Sequence, residues 1–148
     1  MSLLKKNEKE ANLIVAKVMR VSFIIFTLIY ILNVIGIFEV KPAVMTFAYI
    51  GGSVLLLVPT VISNFLKLEH WCVKYVNVVC ASVFITLLSI TLTWHVVAMY
   101  VYPIAIASLY FSKKLNISAT ILTVVGVSIG QVMAFFMQTT LDDNFTDV

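Results

Sequence analysis

Five long apolar runs, with nearly all of the charge outside them, constrain this chain more than any other feature of its sequence. They cover about residues 21–38, 42–65, 71–91, 96–111 and 117–137. A helix needs about 20 apolar residues to cross roughly 30 Å of hydrocarbon. Composition points the same way: 61% of residues are apolar and 11% charged. Soluble domains carry roughly 45–50% and 25%, because polar residues must cover their surface. The sequence therefore predicts an all-α integral membrane protein, a single membrane domain over 1–148. It should form a bundle of about five transmembrane helices, with the lipid bilayer as its first partner.

The flanks predict a short cytoplasmic tail over 1–11 and an extracytoplasmic tail over 138–148. Lys5, Lys6 and Lys9 mimic the basic start of a secretion signal, but the apolar stretch behind them is too long and no small-x-small cleavage site closes it. The first run is therefore expected to stay as a span. Asn12 to Arg20, where Lys17 and Arg20 stand among apolar residues, reads as a helix emerging at the interface. Orientation follows from the basic residues. Lys5, Lys6, Lys9, Lys17, Arg20, Lys67, Lys74, Lys113 and Lys114 fall on one side of the five spans, and Lys41 on the other. The expectation is a cell-membrane protein with a cytoplasmic N-terminus and an extracytoplasmic C-terminus. Trp71 and Trp94 bracket the third run, roughly 34 Å apart as a helix, which puts both at headgroup depth. Tyr75 and Tyr110 extend the inner aromatic belt.

Few polar residues interrupt the runs. Asn33 and Gln131 each lie roughly 8–10 Å below the outer surface, where an amide needs a partner and an interhelical hydrogen bond supplies one. Thr93-Trp94-His95 joins the third and fourth runs with almost no loop, placing His95 at the tip of a tight hairpin. Asn33, His95 and Gln131 form a candidate ligand-binding cluster; the competing readings are a packing clamp for the two amides and a hydrated interfacial histidine. Asn64 and Asn77, toward the cytoplasmic ends, are expected to reach water. Gly126, Gly130 and Ala134 make a small-xxx-small ridge for close helix packing. Its neighbour is left open: the same chain, a second copy in a homodimer, or another membrane protein. Gly51-Gly52 gives the second helix a similar thin spot. Pro42 should open that helix, Pro59 should bend it, and Pro103, read as mid-span, should kink the fourth.

Several functions lack their chemistry. Cys72 and Cys80 are roughly 12 Å apart along one helix, too far for a disulfide, and read as small apolar residues. No metal-ligand spacing, phosphate loop or nucleophile–base pair is present, so no metal, cofactor or enzymatic activity is expected. No basic patch interleaved with stacking aromatics suggests nucleic acid. Lys74 stands at the flank of the third span, and no acidic or basic residue is read as embedded in the membrane, which argues against ion-coupled transport.

One segment resembles a known group of proteins. Thr91-Leu92-Thr93-Trp94-His95-Val96-Val97, then Tyr100-Val101-Tyr102-Pro103 and Ala107-Ser108-Leu109-Tyr110-Phe111-Ser112-Lys113-Lys114, is similar to the multi-pass N-terminal membrane regions of Firmicute signalling proteins. These include sensor histidine kinases, chemotaxis receptors and diguanylate cyclases. The resemblance implies a membrane-embedded sensory or anchor module of a bacterial signalling system. In that family an even number of spans delivers a cytoplasmic output domain. Here five spans and no output domain are read, so the expectation is a truncated or stand-alone relative, or one that has lost a sixth span. The alternatives are a structural protein that packs against a membrane partner and a small permease subunit.

Overall fold

The computed structural model describes residues 3–37, 40–66, 71–92 and 99–137, with side chains from residue 7 to residue 136 within those ranges. Its elements are α1 (Leu3–Val34), α2 (Pro42–Thr60), α3 (Val73–Thr91), α4 (Tyr102–Ser108) and α5 (Lys113–Met137). There is no strand among the described residues. Asn7–Val34, Pro42–Phe65, Val73–Thr91 and Lys113–Phe136 are long and apolar enough to cross a membrane, and Met99–Ser108 is a shorter apolar helix. The all-helical membrane bundle agrees with the sequence. The fourth expected span is helical over Met99–Ser108, and residues 93–98, with His95 and Trp94, lie outside the described ones.

The helix ends have local causes. α1 was expected to end near Phe38 but stops at Val34, because Gly36 takes φ 77°. Its N–H reaches the Asn33 carbonyl at 3.1 Å and the Ile37 N–H the Leu32 carbonyl at 3.0 Å. That pair of bonds is the Schellman stop, which favours glycine at the left-handed position. At the other end, α1 already begins at Leu3, so Leu3–Ala11 is helical. Glu8, Asn12, Val15, Met19, Ser22 and Phe26 alternate in steps of four and three, the spacing of one continuous helix face. Val15 and Met19 on that stripe are completely buried, so the packing face already runs through the region read as interfacial.

Pro42 opens α2, where its missing N–H costs nothing. Pro59 is buried inside α2, which passes directly into a π-helical segment, Val61–Phe65. Proline removes one i→i−4 bond and crowds the preceding turn, so the ladder rearranges rather than continuing straight. Pro103 departs from expectation. It sits in the first turn of α4, behind a turn of tighter helix at 99–101, and so begins a helix instead of kinking one.

α3 is the centre of the bundle: α1, α2, α4 and α5 all pack on it, α1 also packs on α2, and α4 on α5. α1 and α5 do not form a packed pair. Side-chain contacts give the directions. Glu8 meets Lys74 near the starts of α1 and α3, while Thr60 meets Ala16 and Tyr49 meets Thr27 in reverse order. Hence α1, α3 and α5 run one way and α2 and α4 the other, the alternation a multi-pass chain requires. We call the end with the starts of α1, α3 and α5 the near end.

Outward faces are apolar, with Ile24 and Ile31 on α1, Phe47 and Ile50 on α2, and Ile121, Ile129 and Val132 on α5. Lipid makes such faces stable, but it also removes the hydrophobic drive between helices, leaving shape and hydrogen bonds to select neighbours. Shape is clearest at Gly52. A Cβ there would lie 2.6 Å from Phe26 Cε1 and 3.1 Å from Phe84 Cε2. The missing side chain lets Phe26 and Phe84 meet edge to face at 5.4 Å beneath α2, with Tyr30 stacked on Tyr49 at 4.2 Å nearby. Gly52→Leu should therefore cost about 1–3 kcal/mol in reversible unfolding in detergent, whereas Ile50→Leu, on the outer face, should leave stability unchanged.

Candidate functional site

The small-residue ridge of α5 lies against α3 of the same chain. A Cβ on Gly126 would collide with Thr86 Oγ1, and one on Gly130 would lie 2.7 Å from Ser89 Oγ and 3.1 Å from the Thr86 carbonyl. Ala134, the third ridge residue, is completely buried. Small hydroxyl residues on α3 thus face glycines on α5, so the two backbones approach closely. The neighbour left open by the sequence is an intrachain helix.

One residue beyond Gly130, Gln131 donates from Nε2 to Ser89 Oγ and to the Tyr100 hydroxyl, both at 3.2 Å. This far-end layer joins α5, α3 and the turn leading into α4. Asn33 belongs to a different contact: its Nδ2 donates to the Val40 carbonyl at 3.1 Å, tying the end of α1 to the approach to α2. Asn33 and Gln131 thus take separate partners, on helices that do not pack on each other. His95, the third member of the predicted cluster, lies outside the described residues.

A further buried polar cluster lies at the near end, where Asn77 was expected to reach water. Asn77 is completely buried instead. Its Nδ2 donates to the Tyr110 hydroxyl at 2.8 Å and to Asn12 Oδ1 at 3.3 Å, and Tyr110 donates to Asn12 Oδ1 at 2.7 Å. Asn77 Oδ1 is enclosed without a partner among the described groups. One turn closer to the helix starts, Lys74 pairs with Glu8. The four residues make two rungs between parallel helices, Glu8–Lys74 and Asn12–Asn77, with Tyr110 closing the upper rung from the turn after α4. Tyr110 is thus a buried interhelical link rather than a belt residue, while Asn64 is half-buried. Tyr75 stands edge-on to the exposed Trp71 at 5.8 Å.

A third link crosses mid-bundle, where Ser22 and the Tyr102 hydroxyl are 2.9 Å apart. Asn12, Ser22, Tyr100 and Tyr102 were not singled out by the sequence as links, and Asn77 and Tyr110 were given other roles. The four-and-three stripe of α1 carries the signal for the first two, since it places Asn12 and Ser22 in line with buried Val15 and Met19. Chemically, these groups are neutral hydrogen-bond partners that join helices. No group of three or more His, Cys, Asp or Glu side chains among the described residues could hold a metal ion. Cys72 and Cys80 form no disulfide with each other. No protein-family profile matches the chain, and no curated protein or solved structure shows significant similarity to it.

Three substitutions test the layers. Gly130→Leu should lower unfolding stability in detergent by about 1–3 kcal/mol; wild-type stability would mean that α5 does not rest on α3 there. Asn77→Ala should cost about 1–2 kcal/mol, and Tyr110→Phe in the Asn77→Ala background should add less than it does in the wild-type chain.

Proposed function

We propose that this chain is a membrane-embedded sensory or anchor module of a bacterial signalling system, held in the cell membrane with its N-terminus in the cytoplasm. The observation that supports this most is where the resembling segment falls. Tyr100, Tyr102 and Tyr110, all within it, provide the hydroxyls that bind the α4 region to α5, α1 and α3. The part of the chain most like signalling membrane regions is therefore the part that couples helices to one another. A module that relays a stimulus, or holds a partner at the membrane, needs such coupling. Asn12, Ser22, Asn77, Tyr100, Tyr102, Tyr110 and Gln131 are engaged between helices, an arrangement suited to transmitting a shift in packing.

The near end is cytoplasmic in this reading, since it carries Glu8–Lys74 together with Lys113 and Lys114 at the start of α5. The chain also offers its apolar exterior to a membrane partner, while the glycine ridge is occupied by its own α3.

Alkaline phosphatase fused after Val148 should be active, and fused after Lys114 inactive; the reverse pattern would overturn the orientation. Affinity purification of the tagged chain from native membranes should recover a membrane-bound kinase, chemoreceptor or cyclase. Recovery of a transport ATPase in its place would assign the chain to a permease.

A further inference from the structure

We propose that α4 is a hinged strap, and that the seam between α1 and α4 is where the bundle opens sideways to the bilayer, held shut by the Tyr102–Ser22 and Tyr110–Asn12 hydrogen bonds. α4 packs closely on α3 and α5, but α1 and α4 do not meet as a packed pair. Long side chains bridge them instead. Tyr102 opens α4, Ile106 lies one turn on, and Tyr110 follows in the turn just after the helix. Tyr102 is 2.9 Å from Ser22 Oγ, and Tyr110 is 2.7 Å from Asn12 Oδ1. On the α1 stripe, Val15 and Met19 lie between these two partners, and with Ile106 they belong to one buried apolar cluster.

The seam is thus apolar between two hydroxyl contacts. In a bilayer this order matters, because an acyl chain can replace an apolar neighbour at little cost. The apolar middle gives closure little specificity; the hydroxyl bonds give it a single geometry. The α3–α5 contact differs, since the glycine-to-hydroxyl approach is backbone-close and too narrow for an acyl chain to replace.

Both ends of α4 are built as joints. Pro103 stands in its first turn, behind the tighter turn at 99–101. At the other end Phe111 takes φ 50°, a left-handed conformation that a side chain disfavours, and is almost fully exposed. Ser112 Oγ accepts from the Leu115 N–H at 3.4 Å, so α5 has its own cap and does not rely on continuity with α4.

A diazirine reagent that partitions into the lipid of phosphatidylcholine vesicles, activated by light, tests this in the full chain. Residue-level mass spectrometry then reads labelling at Met19, Ile106 and Leu56, the last a completely buried residue of α2. The Tyr102→Phe/Tyr110→Phe double variant should raise labelling at Met19 and Ile106 about tenfold, and Tyr102→Phe alone about threefold, with Leu56 unchanged. Tyr100→Phe, which removes a bond to α5, should leave all three at wild-type levels. Labelling that rises equally at Leu56, that follows Tyr100→Phe, or that stays flat in both the single and the double variant overturns the hinged seam.

Discussion

A polar side chain in hydrocarbon costs several kcal/mol unless another polar group meets it. That cost organises the bundle more tightly than its apolar packing does, because lipid competes with every apolar contact and with few of the hydrogen bonds. α3 carries most of the buried polar load: Asn77 and Ser89 are completely buried, and Ser82 and Thr91 nearly so. Such a helix would be unstable facing lipid, so it occupies the centre. Its residues divide between its neighbours: Asn77 meets α1 and the end of α4, whereas Thr86 and Ser89 meet the glycines of α5. Some of the demand is met locally, as Thr86 and Thr91 return their hydroxyls to carbonyls three or four residues back.

How far the sequence revealed this depends on what each signal measures. Length and apolarity measure solvent, and they found the helical bundle and the full 42–65 stretch, including the start at Pro42 and the disturbance after Pro59. Spacing measures faces, and the glycine ridge was legible because an absent side chain has one use at a helix contact. Pairing was not legible. Asn33 and Gln131 have similar depth, which suggested a shared site, but depth is one coordinate and a contact needs the angle around the bundle as well. Asn77 failed for the opposite reason: nearness to a helix end suggested water, while α1 extends far enough to cover it. Hydropathy hides that extension, because Glu8, Lys9, Glu10, Lys17 and Arg20 interrupt it.

Those charges are compatible with a helix that runs on through the membrane boundary. Lys17 and Arg20 are exposed, away from the stripe formed by Val15 and Met19. Helical side chains lean toward the N-terminus, which in α1 is the near end. Arg20 shows the lean directly, its Nε reaching the Ala16 carbonyl one turn back at 3.4 Å. Long basic side chains placed this way cover apolar surface with their stems and bring their charge toward the headgroups. A position that counts against membrane burial in a residue tally is thus accommodated by direction.

The near end also shows a conflict between topology and helix electrostatics. In the proposed orientation, cytoplasmic placement favours Lys and Arg beside the spans, yet the near end holds the starts of α1, α3 and α5, where the helix dipole is positive and cations are disfavoured by roughly 0.3–1 kcal/mol each. Neither α3 nor α5 has an acidic residue in its first turn. Lys74, in the first turn of α3, is relieved by Glu8 from the neighbouring α1. At α5, Lys113 and Lys114 have a different compensation: they follow Ser108, the last residue of α4, within a short turn, so the carbonyl end of one helix lies close in sequence to the amide start of the next. A cation there interacts with two opposed dipoles, and the Ser112 hydroxyl satisfies a backbone amide that an acidic side chain would otherwise serve. The tight α4–α5 turn therefore lets basic residues sit at a helix start, and the strained Phe111 within it is the local cost of keeping that turn short.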